Sequence, residues 1–136
     1  MAKKEFKYKG YTLDELKAMS MDELVKIMPS DVRRSILRGF TESQTKLMGK
    51  IRKASKLLDN GEKVKVIRTH CRDMPIIPEM VGLDFMVYNG KEFVKVIITQ
   101  EMLGHFIGEF TYNRAIVKHS SPGVGATRSS LFVPIR

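Results

Sequence analysis

Leu83-Asp84-Phe85-Met86-Val87-Tyr88-Asn89-Gly90-Lys91-Glu92-Phe93-Val94-Lys95-Val96-Ile97-Ile98 is the stretch that decides the fold. Two runs rich in β-branched and aromatic residues flank Asn89 and Gly90, the pair best able to take the positive φ angles of a two-residue hairpin turn. Such a turn places Phe85 opposite Val94, Leu83 opposite Val96, Met86 opposite Phe93 and Asp84 opposite Lys95. Apolar residues then meet apolar ones and an acid meets a base, as a paired register requires. Upstream, Val64 to Thr69 reads as another strand, running through His70, Cys71, Arg72, Asp73 and Met74 into a loop bounded by Pro75 and Pro78. Downstream, Thr99 is suited to cap a helix carrying Met102, Leu103, Phe106 and Ile107, on which Gly104 and Gly108 leave a bare backbone patch. The patch either receives an outside partner or lets the helix lie on the hairpin, and Gly108 doubles as a candidate helix stop.

Before the hairpin the pattern changes to helical spacing. Thr12 and Ser20 are suited to cap two short helices, the second carrying Met21, Leu24, Val25 and Met28 on one face and stopping at Pro29. Asp31 starts a third, with Val32, Ile36 and Leu37, closed by Gly39. From Thr41 to Leu58 the apolar stripe Leu47, Ile51, Ala54 and Leu58 predicts a longer helix, ended by Asn60 and Gly61. The fold class that follows is α+β: a small antiparallel or mixed three-stranded sheet with packed helices, a helical N-terminal extension and an extended basic C-terminal arm. The chain divides on this reading into a helical region at 1–59, an α+β core at 60–110 and an arm at 111–136.

Composition narrows the function. Of 136 residues, 24 are Lys or Arg and 15 are Asp or Glu, a net charge of +9 that favours a polyanionic partner. The charged N-terminus has no apolar run of the signal type, and no stretch is long enough to cross a bilayer, so a cytoplasmic, soluble protein is expected. A lone cysteine, Cys71, cannot form an internal disulfide. His70, His105 and His119 lack the spacing of zinc ligands, and neither metal nor cofactor is expected. Cys71 beside His70 makes a poor nucleophile and base, Gly123 to Thr127 lacks the Lys and helix of a phosphate loop, and Asp22 with Glu23 is explained by helix capping. No catalytic constellation remains.

Cations therefore carry the functional reading. Arg33, Arg34 and Arg38, then Lys46, Lys50, Arg52, Lys53 and Lys56 on the long helix, then Arg68 and Arg72, lie in separate segments and suggest a broad phosphate contact. After Glu109 no acid follows, and Arg114, Lys118, His119, Arg128 and Arg136 are spread through a segment poorly equipped to fold alone. Few exposed aromatics are evident, which points to recognition of folded RNA shape rather than of stacked single strands. A general polyanion or membrane-surface binder is the alternative on charge alone.

The stretch from Val66 to Phe110 closely resembles the core of the small-subunit ribosomal protein nineteen family. The resemblance rests on Ile67-Arg68-Thr69, Arg72-Asp73-Met74, Pro78-Glu79-Met80-Val81-Gly82, Tyr88-Asn89-Gly90-Lys91 and Glu101 through Phe110. With Val117-Lys118-His119 and Pro122 through Ser130, it is similar to the archaeal and eukaryotic branch. The resemblance implies a non-enzymatic constituent of the small ribosomal subunit that takes part in translation and binds ribosomal RNA of the 3′ major domain in the subunit head. It implies a neighbouring head protein as a partner, and a C-terminal arm that reaches toward the decoding region and transfer RNA. Arg68 and Arg72, with His70, become candidate anchors for ribosomal RNA, and Arg114, Lys118, His119 and Arg128 candidate contacts of the arm. Contacts assigned to Arg34, Arg38, Lys50 and Lys53 rest on charge.

Overall fold

Short helices need their ends closed, and this chain closes them with side chains. The computed structural model describes residues 6–62 and 64–118 and places α1 at Leu13–Ala18, α2 at Met21–Ile27, α3 at Ser30–Leu37 and α4 at Glu42–Asp59. Thr12, Ser20 and Thr41 each accept a bond from the third helical amide, while Glu15, Glu23 and Gln44 reach back to the cap amide. These reciprocal boxes satisfy donors that the first turn leaves without partners. α3 departs from the expected Asp31 start: it begins at Ser30 after Pro29 and has no side-chain cap. The carbonyls ending α2 are closed by cations instead. Lys9 Nζ donates to Ile27 O at 2.6 Å, and Arg33 donates to the carbonyls of Val25, Lys26 and Met28 at 3.1, 2.8 and 3.3 Å.

The sheet is mixed, in the order β1 (Ile67–Thr69), β2 (Asp84–Tyr88), β3 (Phe93–Ile97). β1 runs parallel to β2, and β2 antiparallel to β3. The hairpin forms where expected, but its register differs from the sequence reading by two residues. Phe85 faces Val96, Val87 faces Val94 and Tyr88 faces Phe93. Asn89 stays out of the positive-φ region and works through its side chain, accepting the amides of Lys91 and Glu92 on Oδ1 at 2.8 Å each. Only Gly90, at φ 103°, takes the left-handed conformation in this turn. A shift of two preserves which residues face inward, and Asp84 and Lys95 still meet diagonally at 2.7 Å.

The expected helix after Thr99 is replaced by two 3₁₀ turns, Gln100–Met102 and Ile107–Phe110. Gly104 separates them at φ +83°, which a continuous helix could not accommodate, and Thr99 makes no capping bond. What orders the segment is non-local: Ile76 N donates to His105 O at 2.8 Å, Ile107 N to Met74 O at 3.0 Å and Gly108 N to Arg72 O at 2.8 Å. The two glycines are indeed places of close approach, and the approaching groups are the chain's own. A Cβ on Gly108 would lie 2.8 Å from the Arg72 carbonyl, and one on Gly104 would lie 2.6 Å from the Tyr8 hydroxyl and 3.2 Å from the Pro29 ring.

One apolar cluster joins helices and sheet. Leu16, Met28, Val32, Ile51, Met74, Ile76, Met80, Phe85, Val87 and Ile107 all belong to it, each no more than 2% exposed. Gln44, buried though polar, ties α4 to the loop after β1: Oε1 closes the Thr41 amide at 2.9 Å, and Nε2 donates to Asp73 Oδ2 at 2.7 Å. Leu58, expected on the α4 stripe, is 38% exposed at the helix end.

Candidate nucleic-acid interface

With the core on one face of the sheet, the alternation of β1 to β3 sends a second set of side chains outward. Arg68 of β1 stands beside Met86 of β2, which stands beside Lys95 of β3. Two residues further along, Tyr88 pairs with Phe93, and His70 follows directly on β1. The rings close into a three-membered cluster on this face, with centroids 4.8 Å apart for His70 and Tyr88, 5.1 Å for His70 and Phe93 and 5.2 Å for Tyr88 and Phe93. Arg68 lays its guanidinium 4.3 Å from the Phe93 centroid, a cation–π contact at an exposed site. The cluster was not legible in the sequence because His70 reaches the two hairpin rings through the parallel pairing of β1 with β2, which no local pattern reveals.

Around the edge from this cluster, α4 and the segment leading into β1 enclose an open groove. Lys50, Lys53, Lys65 and Arg68 line it together with Ala54, Leu57, Val66 and Ile67. Three of the cations named from sequence, Lys50, Lys53 and Arg68, are thus gathered into one surface, and Lys65 joins them unannounced. Arg34 and Arg38 are exposed at the C-terminal end of α3. Arg114 and Lys118 are exposed in the irregular segment after the last 3₁₀ turn, while His119 and Arg128 lie outside the described residues.

Arg72 has a different environment. It is half-buried, and its Nη1 donates to Tyr88 O at 2.9 Å, while Nη2 donates to Gly108 O at 2.8 Å and to Thr111 O. Three of the five N–H groups of a guanidinium are therefore spent on the end of β2, the second 3₁₀ turn and the root of the arm. Arg33 is likewise committed to the end of α2. Cys71 is half-exposed; among the described residues no group of three or more His, Cys, Asp or Glu could hold a metal ion, and no helix is long and apolar enough to cross a membrane.

The chain is thus a small basic α+β protein whose described cations Lys50, Lys53, Lys65 and Arg68 line one groove. The family model described as "Ribosomal protein S19" matches residues 34–119. Small ribosomal subunit protein uS19 of Methanococcus maripaludis strain C6 is 54% identical over 132 residues, covering 97% of this chain and 82% of that protein. The uS19 protein of Methanococcus aeolicus is 52% identical over the same shares. The chain belongs to the ribosomal protein S19 family, in its archaeal-type branch, and is not an enzyme.

Proposed function

We propose that this chain binds ribosomal RNA of the 3′ major domain in the head of the small ribosomal subunit, and that its C-terminal arm reaches toward the decoding region and transfer RNA. The coarser part stands on family membership: the chain is a structural constituent of the small ribosomal subunit and takes part in translation. The observation that carries the finer part is the convergence of Lys50, Lys53, Lys65 and Arg68 on one groove in a chain of net charge +9. Four cations lining one groove suit consecutive phosphates, whose displaced counterions drive binding. Arg34 and Arg38 extend the cationic surface on the helical region, and Arg114, Lys118, His119 and Arg128 supply the arm. Arg72 acts indirectly on this reading: it holds the root of the arm against the sheet, so that the arm leaves the domain in a fixed direction. His70 contacts RNA beside Arg68. A neighbouring head protein completes the site. Neutralising groove cations one at a time, as Lys50→Gln, Lys53→Gln and Arg68→Gln, tests the assignment. Each change should weaken binding to the 3′ major domain RNA and lower the steepness of its salt dependence by about one counterion. Unchanged affinity and slope in all three would place the RNA elsewhere.

A further inference from the structure

The outer face of the sheet carries two adjacent groups of side chains. One is Arg68, Met86 and Lys95; the next is His70, Tyr88 and Phe93. We propose that this face is a stacking platform for an unpaired nucleobase of the bound RNA, whose flanking phosphate is held by Arg68. The inference rests on the RNA-binding reading above and deepens it, since recognition of folded shape alone gives the solvent side of the ring cluster no role.

Three observations favour a base as the occupant. Interior demands do not explain the placement, because the core is served by the opposite face through Ile67, Phe85, Val87 and Val96, all buried. The rings keep solvent access: His70 is exposed, and Tyr88 and Phe93 are half-exposed. Their mutual tilts of 49°, 79° and 53° are not the parallel stacking that would bury ring faces against one another, and Arg68 covers one face of Phe93. The charge on the face also suits a nucleotide. Arg68 is held in place by Phe93 and presents a guanidinium plane, a surface on which bases stack as they do on rings. Asp84, the acid on the same face, is neutralised by Lys95 at 2.7 Å. The edge of the face continues into the cationic groove through Arg68, which lines both, so a strand leaving the groove reaches the rings without a break in the cationic path.

The chain contains no Trp, so Phe93→Trp introduces a single reporter. In the full chain titrated with the 3′ major domain RNA, its emission should be quenched on binding, with affinity kept. Phe93→Leu preserves apolar packing but removes the ring; it should weaken binding about ten-fold or more, the scale of one lost base stack, with the salt slope unchanged. Phe93→Tyr should restore it. A cooperative unfolding transition at the wild-type position for Phe93→Leu confirms that the loss is one of contact. Unmoved Trp emission together with wild-type affinity of Phe93→Leu, while the RNA still binds selectively, would overturn the platform and leave the face to a protein neighbour. Absence of selective binding by the wild-type chain would instead overturn the RNA-binding reading itself, and the platform with it.

Discussion

Arg72 shows how one side chain links the fold to the arm. Its guanidinium bridges carbonyls from Tyr88, Gly108 and Thr111, segments that share no local sequence relation. Removing it leaves three carbonyls to find other donors in a half-buried site. Arg72→Ala should cost about 3 kcal/mol, read as a lower denaturant midpoint, and Arg72→Lys should recover only a fraction because one ammonium cannot span the three acceptors. An unchanged midpoint would remove Arg72 from the structural account. Gly108→Ala should destabilise by about 1–3 kcal/mol for a related reason: the new methyl meets the Arg72 carbonyl, which is backbone and cannot swing aside. None of this was legible in the sequence, where Arg72 reads as another surface cation, because its partners lie 16 to 39 residues away.

At the scale of elements, the hairpin turn separates two uses of asparagine. Asn89 serves through its carboxamide oxygen, not through a positive φ. Asn89→Gly should therefore destabilise by about 1 kcal/mol, and Asn89→Asp should be tolerated, in thermal unfolding; a Gly variant as stable as the parent would favour a backbone role instead. The same ambiguity explains why the strands and their inward faces were readable but the register was not. Both uses of Asn-Gly predict a tight turn, and the two registers differ by two residues, so pairing of apolar with apolar is kept in either. Helices α1, α2 and α4 were legible because their capping signals are local, at fixed offsets of three. The segment at 100–110 was not, because Met102, Leu103, Phe106 and Ile107 mimic helical spacing while their order comes from a ladder to residues 72–76. Capping also sets an acid limit. Hydrogen bonding from the Thr12 amide, then from its hydroxyl, holds the Glu15 carboxyl below its usual value. Its contribution to α1 is complete above the ordinary carboxylate range and is lost as pH falls through the lowered value, so Glu15→Gln should flatten that part of the acid unfolding profile.

For the whole molecule, the buried cluster runs from Leu16 to Ile107, upstream of the segment read as an arm. Deleting everything after Thr111 should leave cooperative unfolding intact, since Thr111 still offers its carbonyl to Arg72, while removing the late contacts of the arm. Loss of the cooperative transition would make the arm part of the fold. Charge and composition made the class of partner legible from sequence, whereas the gathering of Lys50, Lys53, Lys65 and Arg68 needed α4 packed beside β1. The proposed function requires selective recognition of one RNA. Its most direct test is binding of the full chain to the isolated 3′ major domain of small-subunit ribosomal RNA against an unrelated folded RNA of equal length, across a salt series. Selective binding that survives near-physiological salt is the expected result; equal binding to both RNAs that collapses with salt would reduce the chain to a general polyanion binder and contradict the account.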